Sequence, residues 1–283
     1  MSSFGLNLRL EWLDSLIEEK PAIDCLQLIA DNWLTDGPHH KKLETLRQDY
    51  SISFHCVGMN LAGFDQLNLE YLKNIKKLMD KFQPCRISDH LAIEMHNGIC
   101  YHDLLPFPMN AVTLQHISTR INQIQSFFNH QLLVENLSSY ISFSTSHDSE
   151  AVFLKKIVEK TSCGLLLDVN NIYVNYLNGL GDPDEYILHI PFDAVQEIHV
   201  AGGEWVDSVF VDTHGTFVSN EVLSLLNKVY PLCKQAHIIY ERDKNIPPLH
   251  EVVEEVDRIR FKVSKAGIYS FHRNDFKTNE LVL

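Results

Sequence analysis

The sequence predicts a single parallel (β/α)8 barrel. Short apolar or β-branched runs alternate with longer stretches of helical periodicity along the whole chain. The length of 283 residues suits one such barrel, which typically takes roughly 250. No glycine-rich dinucleotide fingerprint follows any early strand, which weighs against an open, doubly wound sheet.

Taken in order, a strand over residues 4–9 leads into a helix over 10–20. The run 24–29 precedes a helix over 39–49, and 51–55 precedes one over 68–81. The run 86–90 precedes a helix over 112–128, and 131–135 precedes one over 148–160. A sixth strand covers 164–168. The seventh, 197–200, and the eighth, 236–241, precede helices over 220–230 and 249–265. This alternation is the signature of a parallel barrel. The barrel is expected to span 1–265, followed by a tail over 266–283 with mixed charges and aromatics. The segment 95–109, with two prolines, reads as an irregular loop over the active face.

Composition narrows the function. A formal net charge of −13 disfavours a nucleic-acid partner, since phosphate contacts need a basic surface. No apolar stretch approaches the roughly 20 residues a membrane span requires, and the N-terminus lacks the apolar core of a signal peptide. Six cysteines occur without a CxxC pair, several inside apolar runs, as expected of reduced, mostly buried thiols in a cytoplasmic protein.

The chemistry is expected at the strand ends. His55, the pair Asp89 and His90, the pair Glu135 and Asn136, and Asp168 each close an apolar run. Asn170 and Asn171 follow Asp168, His199 sits in EIHVAGG, and Glu241 is followed by Arg242 and Asp243. Asp212 and His214 lie in a DTHG loop after the seventh strand. In a parallel barrel all these carboxyl ends share one face. Histidines and carboxylates gathered in one pocket repel or stay unsatisfied without a cation. Divalent first-row metals accept imidazole and carboxylate together, and a carboxylate can bridge two ions. A lone strand-end histidine is more often structural than ligating; six successive strand ends of this kind point to metal. By contrast, His39 and His40 read as a solvated helix start, and His116, His130, His147, His189 and His250 as surface or helix residues.

The runs SFHCVGMNLAG, ISDHLAI, DLLPFP, LLVENLSSY, LLLDVNNIYVN, EIHVAGG, DTHG and YERD, in this order, resemble a known family. It is that of the multinuclear non-heme iron-dependent oxidative enzymes, which includes the methanobactin biosynthesis oxidase. The resemblance covers about residues 4–260 and places the chain in the xylose isomerase-like barrel superfamily, which also holds endonuclease IV. It implies three subsites. His55, His90 and Glu135 would hold one ion; Glu135, as a bridge, with Asp168, His199 and Glu241 would hold a second; Asp212 and His214, with Asn171, would hold a third. Asn171 stands where endonuclease IV has a histidine. The resemblance further implies two or three mixed-valent Fe(II)/Fe(III) ions, with zinc or manganese as alternatives. The implied reaction is the dioxygen-dependent oxidation of cysteine in a ribosomally made precursor peptide, presented by a leader-binding partner protein. Asp89, Asn136, Asn170 and Arg242 are candidates for orienting ligands or substrate.

The chain departs from the family pattern at Asp31–Asn32, where Glu-Asn is usual, at Gly203 after Ala201–Gly202, where His is frequent, and at Arg242, where Trp is frequent. Rival readings are a zinc phosphodiesterase like endonuclease IV, a divalent-metal sugar isomerase or epimerase, and a non-catalytic iron scaffold. Activity on abasic DNA would mark the first. No lysine falls at a matched strand end to support an isomerase.

Overall fold

A computed structural model describes residues 3–233 and 235–266. In chain order the strands are β1 (Ser3–Asn7), β2 (Cys25–Ile29), β3 (Ser51–Cys56), β4 (Ile87–His90), β5 (Ile93–His96), β6 (Ile99–Leu105), β7 (Leu133–Glu135), β8 (Gly164–Asp168), β9 (Val195–Val200), β10 (Glu204–Val206), β11 (Val209–Val211) and β12 (His237–Tyr240). The helices are α1 (Leu13–Glu19), α2 (Pro38–Asp49), α3 (Leu69–Phe82), α4 (Ala111–Phe128), α5 (Glu150–Thr161), α6 (Val169–Leu177), α7 (Pro183–His189), α8 (Asn220–Val229) and α9 (Leu249–Ala266). Strands β1, β2, β3, β4, β7, β8, β9 and β12 close into a barrel in that order, each parallel to its neighbours. This is the (β/α)8 barrel the alternation predicts. The tail expected over 266–283 lies, from residue 267 on, outside the described residues.

Strand parity separates core from site. Successive side chains on a strand point to opposite faces. Phe54, Val134, Leu167, Ile198 and Tyr240 face outward and join the buried core beneath the helices. The next residue along each strand, His55, Glu135, Asp168, His199 or Glu241, turns into the barrel mouth. The helices complete the outer layer with one apolar face each. On α3 the buried positions are Leu72, Ile75, Leu78, Met79 and Phe82, the three-and-four spacing of a half-buried helix. Asn68 caps it by accepting from Tyr71 N (3.0 Å), and Asn110 with Thr113 forms a capping box on α4.

Four local expectations are corrected. Within 95–109 only residues 106–109, which hold both prolines, are irregular. β5 and β6 form an antiparallel hairpin turned by Asn97 and Gly98, both at positive φ (50° and 74°). An Asn-Gly pair is the strongest short hairpin signal, because both turn positions require that conformation. The stretch between β8 and β9 carries two helices that the sequence reading left unassigned. Asp168 starts the first by accepting from Asn171 N (2.7 Å), and Asp182 caps the second. The first helix of the chain is preceded by a 3-10 turn, Leu10–Trp12. His40 is not solvated: it is 6% exposed, its Nε2 lies 2.9 Å from Trp33 O, and it shares the inward face of α2 with Leu43 and Leu46. Four cysteines are buried and two, Cys85 and Cys100, are exposed; all six are free. No helix among the described residues is long and apolar enough to cross a membrane.

Candidate metal centre

Register sets the height of each side chain in the barrel mouth. His90 on β4 pairs directly with Glu135 on β7, and Asp168 on β8 pairs with His199 on β9. Neighbouring strands lie about 4.8 Å apart, so paired side chains can reach one ion. Besides Asp89, His90 and Glu94, three sets of ligand-capable atoms linked by shared carboxylates result, each within 4.8 Å of one another: His55, His90, Glu135; Glu135, Asp168, His199; and Asp168, His214, Glu241. Glu135 belongs to the first two sets and Asp168 to the last two.

The distances show how tightly the cluster is drawn. Glu135 Oε2 lies 3.4 Å from His55 Nε2 and 3.5 Å from His90 Nε2, while its Oε1 lies 3.3 Å from His199 Nδ1. The Nε2 atoms of His55 and His90 face each other at 3.2 Å. Glu241 Oε2 is 3.0 Å from His199 Nδ1 and 3.5 Å from His214 Nδ1. Asp212 Oδ1 is 2.8 Å from His214 Nε2.

Hydrogen bonds around the cluster orient the imidazoles. Ser88 Oγ donates to Phe54 O (3.3 Å), so it accepts from His55 Nδ1 (2.8 Å). That leaves the lone pair of His55 on Nε2, aimed at Glu135. His199 Nε2 donates to Gln27 Oε1 (2.8 Å), which leaves Nδ1 for the cluster. An outer partner of this kind fixes the tautomer of a metal-binding histidine.

The electrostatics are those of a pocket shaped for positive charge. Burial, with His90 and His199 nearby, lowers the His55 pKa to about 3. Burial opposes a charge on Glu135, but His199, His90 and His55 outweigh it and bring its pKa to about 2. Burial also opposes charge on His214, yet Asp212 and Glu241 raise its pKa to about 10. Burial, Asp212 and Glu135 push Asp168 well above the usual carboxylate range. Within this cluster Glu135 Oε2, Asp168 Oδ2, Asn171 Oδ1, His199 Nδ1 and His214 Nε2 are buried without a partner of hydrogen-bond geometry. Buried polar atoms are normally paired. Oxygen and imidazole donors left open toward one another fit divalent first-row metal ions, whose ligands must be deprotonated.

The remaining candidates sit around this cluster. Asn136 holds Asp168 from both sides, donating to its carbonyl (2.9 Å) and accepting from its N–H (2.8 Å). Asn171 Nδ2 donates to Asn136 O (3.0 Å), which turns Oδ1 toward the unpaired side. Asn170 Nδ2 donates to Asp212 Oδ1 (2.7 Å). Asp89 accepts from Met59 N (2.9 Å) and from His90 N (2.6 Å). Burial raises Asp89 to about 8 and, with Asp89 beside it, raises Glu94 to about 10. Arg242 donates to Asn245 O (3.1 Å) and covers the Phe217 ring at 5.3 Å, contacts outside the cluster. Asp31, at the family's Glu position, accepts from Val57 N (3.0 Å) and Tyr71 Oη (3.2 Å).

Several site residues were missed in the sequence. Ser88 and Gln27 orient imidazoles, Asn7 Nδ2 donates to Glu241 Oε1 (3.4 Å), and Arg9 pairs with Asp243, whose Oδ2 lies 3.3 Å from His214 Nδ1. One signal was available: polar residues with the parity of the strand-end ligand, as Ser88 has with His90. Tyr140 Oη accepts from Asp212 N (3.1 Å) and ties the loop after β7 to the cluster.

That loop runs into α5, whose first residue is an enclosed acid. Glu150 accepts from Leu137 N (2.9 Å) and Tyr186 Oη (3.1 Å), and burial raises its pKa from 4.5 to about 7. Below pH 4.5 both folded and unfolded chains hold this proton. Between there and about 7 only the unfolded chain releases it, so this group's contribution to stability falls as pH rises, then levels off. Glu150→Gln is therefore expected to gain on the wild type by roughly 2–3 kcal/mol from the acid to the alkaline side of that window. Urea unfolding across that window measures the gap. A gap that does not change with pH would refute the raised pKa.

A closed parallel barrel with a cluster of this kind at its strand ends defines a (β/α)8 barrel protein with a candidate metal centre. Endonuclease IV from Thermus thermophilus is similar in fold, with a TM-score of 0.63 and 15% identity over 93% of this chain and 99% of that one. An L-ribulose 3-epimerase is similar too, at 0.63 and 10% identity over 96% and 100%. The chain belongs to the family described as RiPP precursor modification enzyme MbnB/TglH/ChrH, which it matches over residues 3–263. This is the family that the strand-end motifs resemble. A UPF0276 protein of Bordetella bronchiseptica is 36% identical over 261 residues, 90% of each chain. One from Acinetobacter baylyi is 31% identical over 279 residues, 98% of this chain and 95% of that one.

Proposed function

We propose that the chain is an iron- and dioxygen-dependent enzyme that oxidises a cysteine of a ribosomally synthesised precursor peptide, handed to it by a separate leader-binding protein. The observation that carries this reading is the fused cluster around Glu135 and Asp168, inside a barrel that matches a precursor-modification family over residues 3–263. Sharing one carboxylate between two sets is the arrangement by which neighbouring ions act together. The choice of iron over zinc or manganese rests on the family resemblance, because all three accept these ligands.

In this reading His55, His90 and Glu135 hold one ion. Glu135, Asp168, His199 and Glu241 would hold the second, and Asp212 and His214, with Asn171, would serve the third, where the structure groups His214 with Asp168 and Glu241. Iron held there would supply redox chemistry, with dioxygen as the oxidant and the peptide cysteine as the group oxidised. The chain's own residues prepare it. Ser88 and Gln27 keep the correct imidazole nitrogens deprotonated toward the cluster, through bonds of 2.8 Å each. Asn136 fixes Asp168 from both backbone sides, and Asn170 fixes Asp212. Asp89, tied to the His90 backbone, positions that ring. Arg242 shapes the rim through Asn245 and Phe217.

The test is direct. The iron-loaded chain, co-expressed with a cysteine-containing peptide encoded beside it and with any neighbouring leader-binding protein, is expected to change the peptide's mass in air. Replacing the peptide cysteine by serine removes the change. An unaltered peptide, with two or three irons per chain measured, overturns the proposal. Zinc alone after iron-replete growth redirects it to a hydrolase.

A further inference from the structure

The loop between β7 and α5, together with α6, α7 and the segment after β6, encloses a cavity of about 340 Å³, lined by chain neighbours of the cluster residues but by no residue of the cluster itself. Its wall is apolar, with Leu91, Phe107, Leu137, Ile141 and Ile172. Three of these follow cluster residues directly in the chain: Leu91 after His90, Leu137 after Asn136, and Ile172 after Asn171. Its rim is acidic. Glu150, Asp182 and Glu185 border it, along with Asp148, which is already paired with Lys156 at 2.6 Å. His189 is the sole basic residue among its described lining residues.

Size, charge and position together select an occupant. The volume lies at the lower end of roughly 300–1,000 Å³ for ligand sites, which suits a side chain better than a cofactor. Of the rim acids, Asp182 caps α7 through one oxygen only and Glu185 meets, among the described residues, only His189, at 3.9 Å, so these two favour a cation next to the apolar group. The cavity is also joined to the cluster: Ile141 lines it and is 56% exposed, while the adjacent Tyr140 accepts from Asp212 N. A sealed packing fault would have neither the acid rim nor the exposed edge.

We propose that this cavity is a substrate subsite: it takes a large apolar side chain of the precursor peptide, with a basic residue of the same peptide against Glu185 and Asp182. The proposal rests on the reading of the chain as a peptide-modifying enzyme. The apolar anchor and the modified cysteine then lie on either side of the Tyr140–Ile141 step. Occupancy holds the loop after β7, and with it Asn136, in place.

Gly181 offers a clean plug. Gly181 lines the cavity, a Cβ built there meets nothing within 4 Å, and its φ is not in the left-handed region, so Gly181→Trp adds a ring at the cavity mouth without backbone strain. The probes are acetylated, amidated tetrapeptides Lys-X-Gly-Ser with X as Phe, Leu, Ala or Asp, titrated by ligand-observed NMR against the full, metal-loaded chain. They contain no cysteine, so the result does not depend on whether oxidation occurs. A missing mass change in the peptide test leaves it standing. Phe and Leu probes are expected to bind about 10–100-fold tighter than Ala, the range that burying one such side chain gives. Gly181→Trp should erase that preference while keeping full metal content. Glu185→Lys, on an exposed site, should weaken the Lys-Phe probe several-fold and favour a Glu-Phe one. Equal binding of the Phe and Ala probes by the wild type overturns the proposal, as does a preference that persists in Gly181→Trp.

Discussion

A Glu135→Gln chain is expected to lose at least one metal ion per molecule and at least about 100-fold of its activity, the upper end of what losing even an outer partner costs. Each Glu135 oxygen has its own work: Oε2 faces His55 and His90 at 3.4 and 3.5 Å, and Oε1 faces His199 at 3.3 Å. An amide keeps the shape but offers one oxygen. It also turns an NH2 toward imidazole nitrogens and removes the negative charge that two ions would share. Gln27→Ala supplies the graded comparison. It frees the far nitrogen of His199 without touching a ligand, so its loss should fall within about 10–100-fold of metal affinity. Elemental analysis per chain and peptide conversion by mass spectrometry read both. A Glu135→Gln chain with full metal content would sink the bridging role.

The largest structural effect is expected at Phe153→Ala, at about 3–5 kcal/mol. Phe153 on α5 is fully buried and meets Phe107 with ring centroids 5.7 Å apart and planes inclined at 57°. Truncation removes most of that apolar burial and leaves a void between α5 and the segment after β6. Phe107 also borders the neighbouring cavity, so its ring has room to relax, which places the cost nearer the lower figure. Denaturant unfolding with an unchanged m-value measures it. A loss under about 1 kcal/mol would mean that α5 does not depend on this contact.

The barrel was legible because each of its strands is a local object. A run such as GLLLD states both its conformation and its polar terminus within five residues, and β8 is Gly164–Asp168 as read. Where local signals compete, the reading failed. Asn97–Gly98 announced a hairpin, but the flanking mixture of charges and prolines hid its strands. Asp168 closes a strand and caps a helix at once, so α6 was left unassigned. His40 looked solvated because a buried histidine differs from an exposed one only in what the helix face meets.

Sequence alone determined the fold class and the family resemblance, and it named strand-end side chains such as His55, Glu135 and Asp168, because strand-end position is a one-dimensional property. Tertiary structure alone decided which of them share a height. Only the register places His90 beside Glu135 and Asp168 beside His199. It also decided that Asp168 joins Glu135 in linking the sets, that Ser88 and Gln27 orient the rings, and that an acid-rimmed cavity opens alongside. The reason is physical: pairing, tautomer and cavity all depend on distances between residues such as Gln27 and His199, 172 positions apart, which only the closed barrel sets.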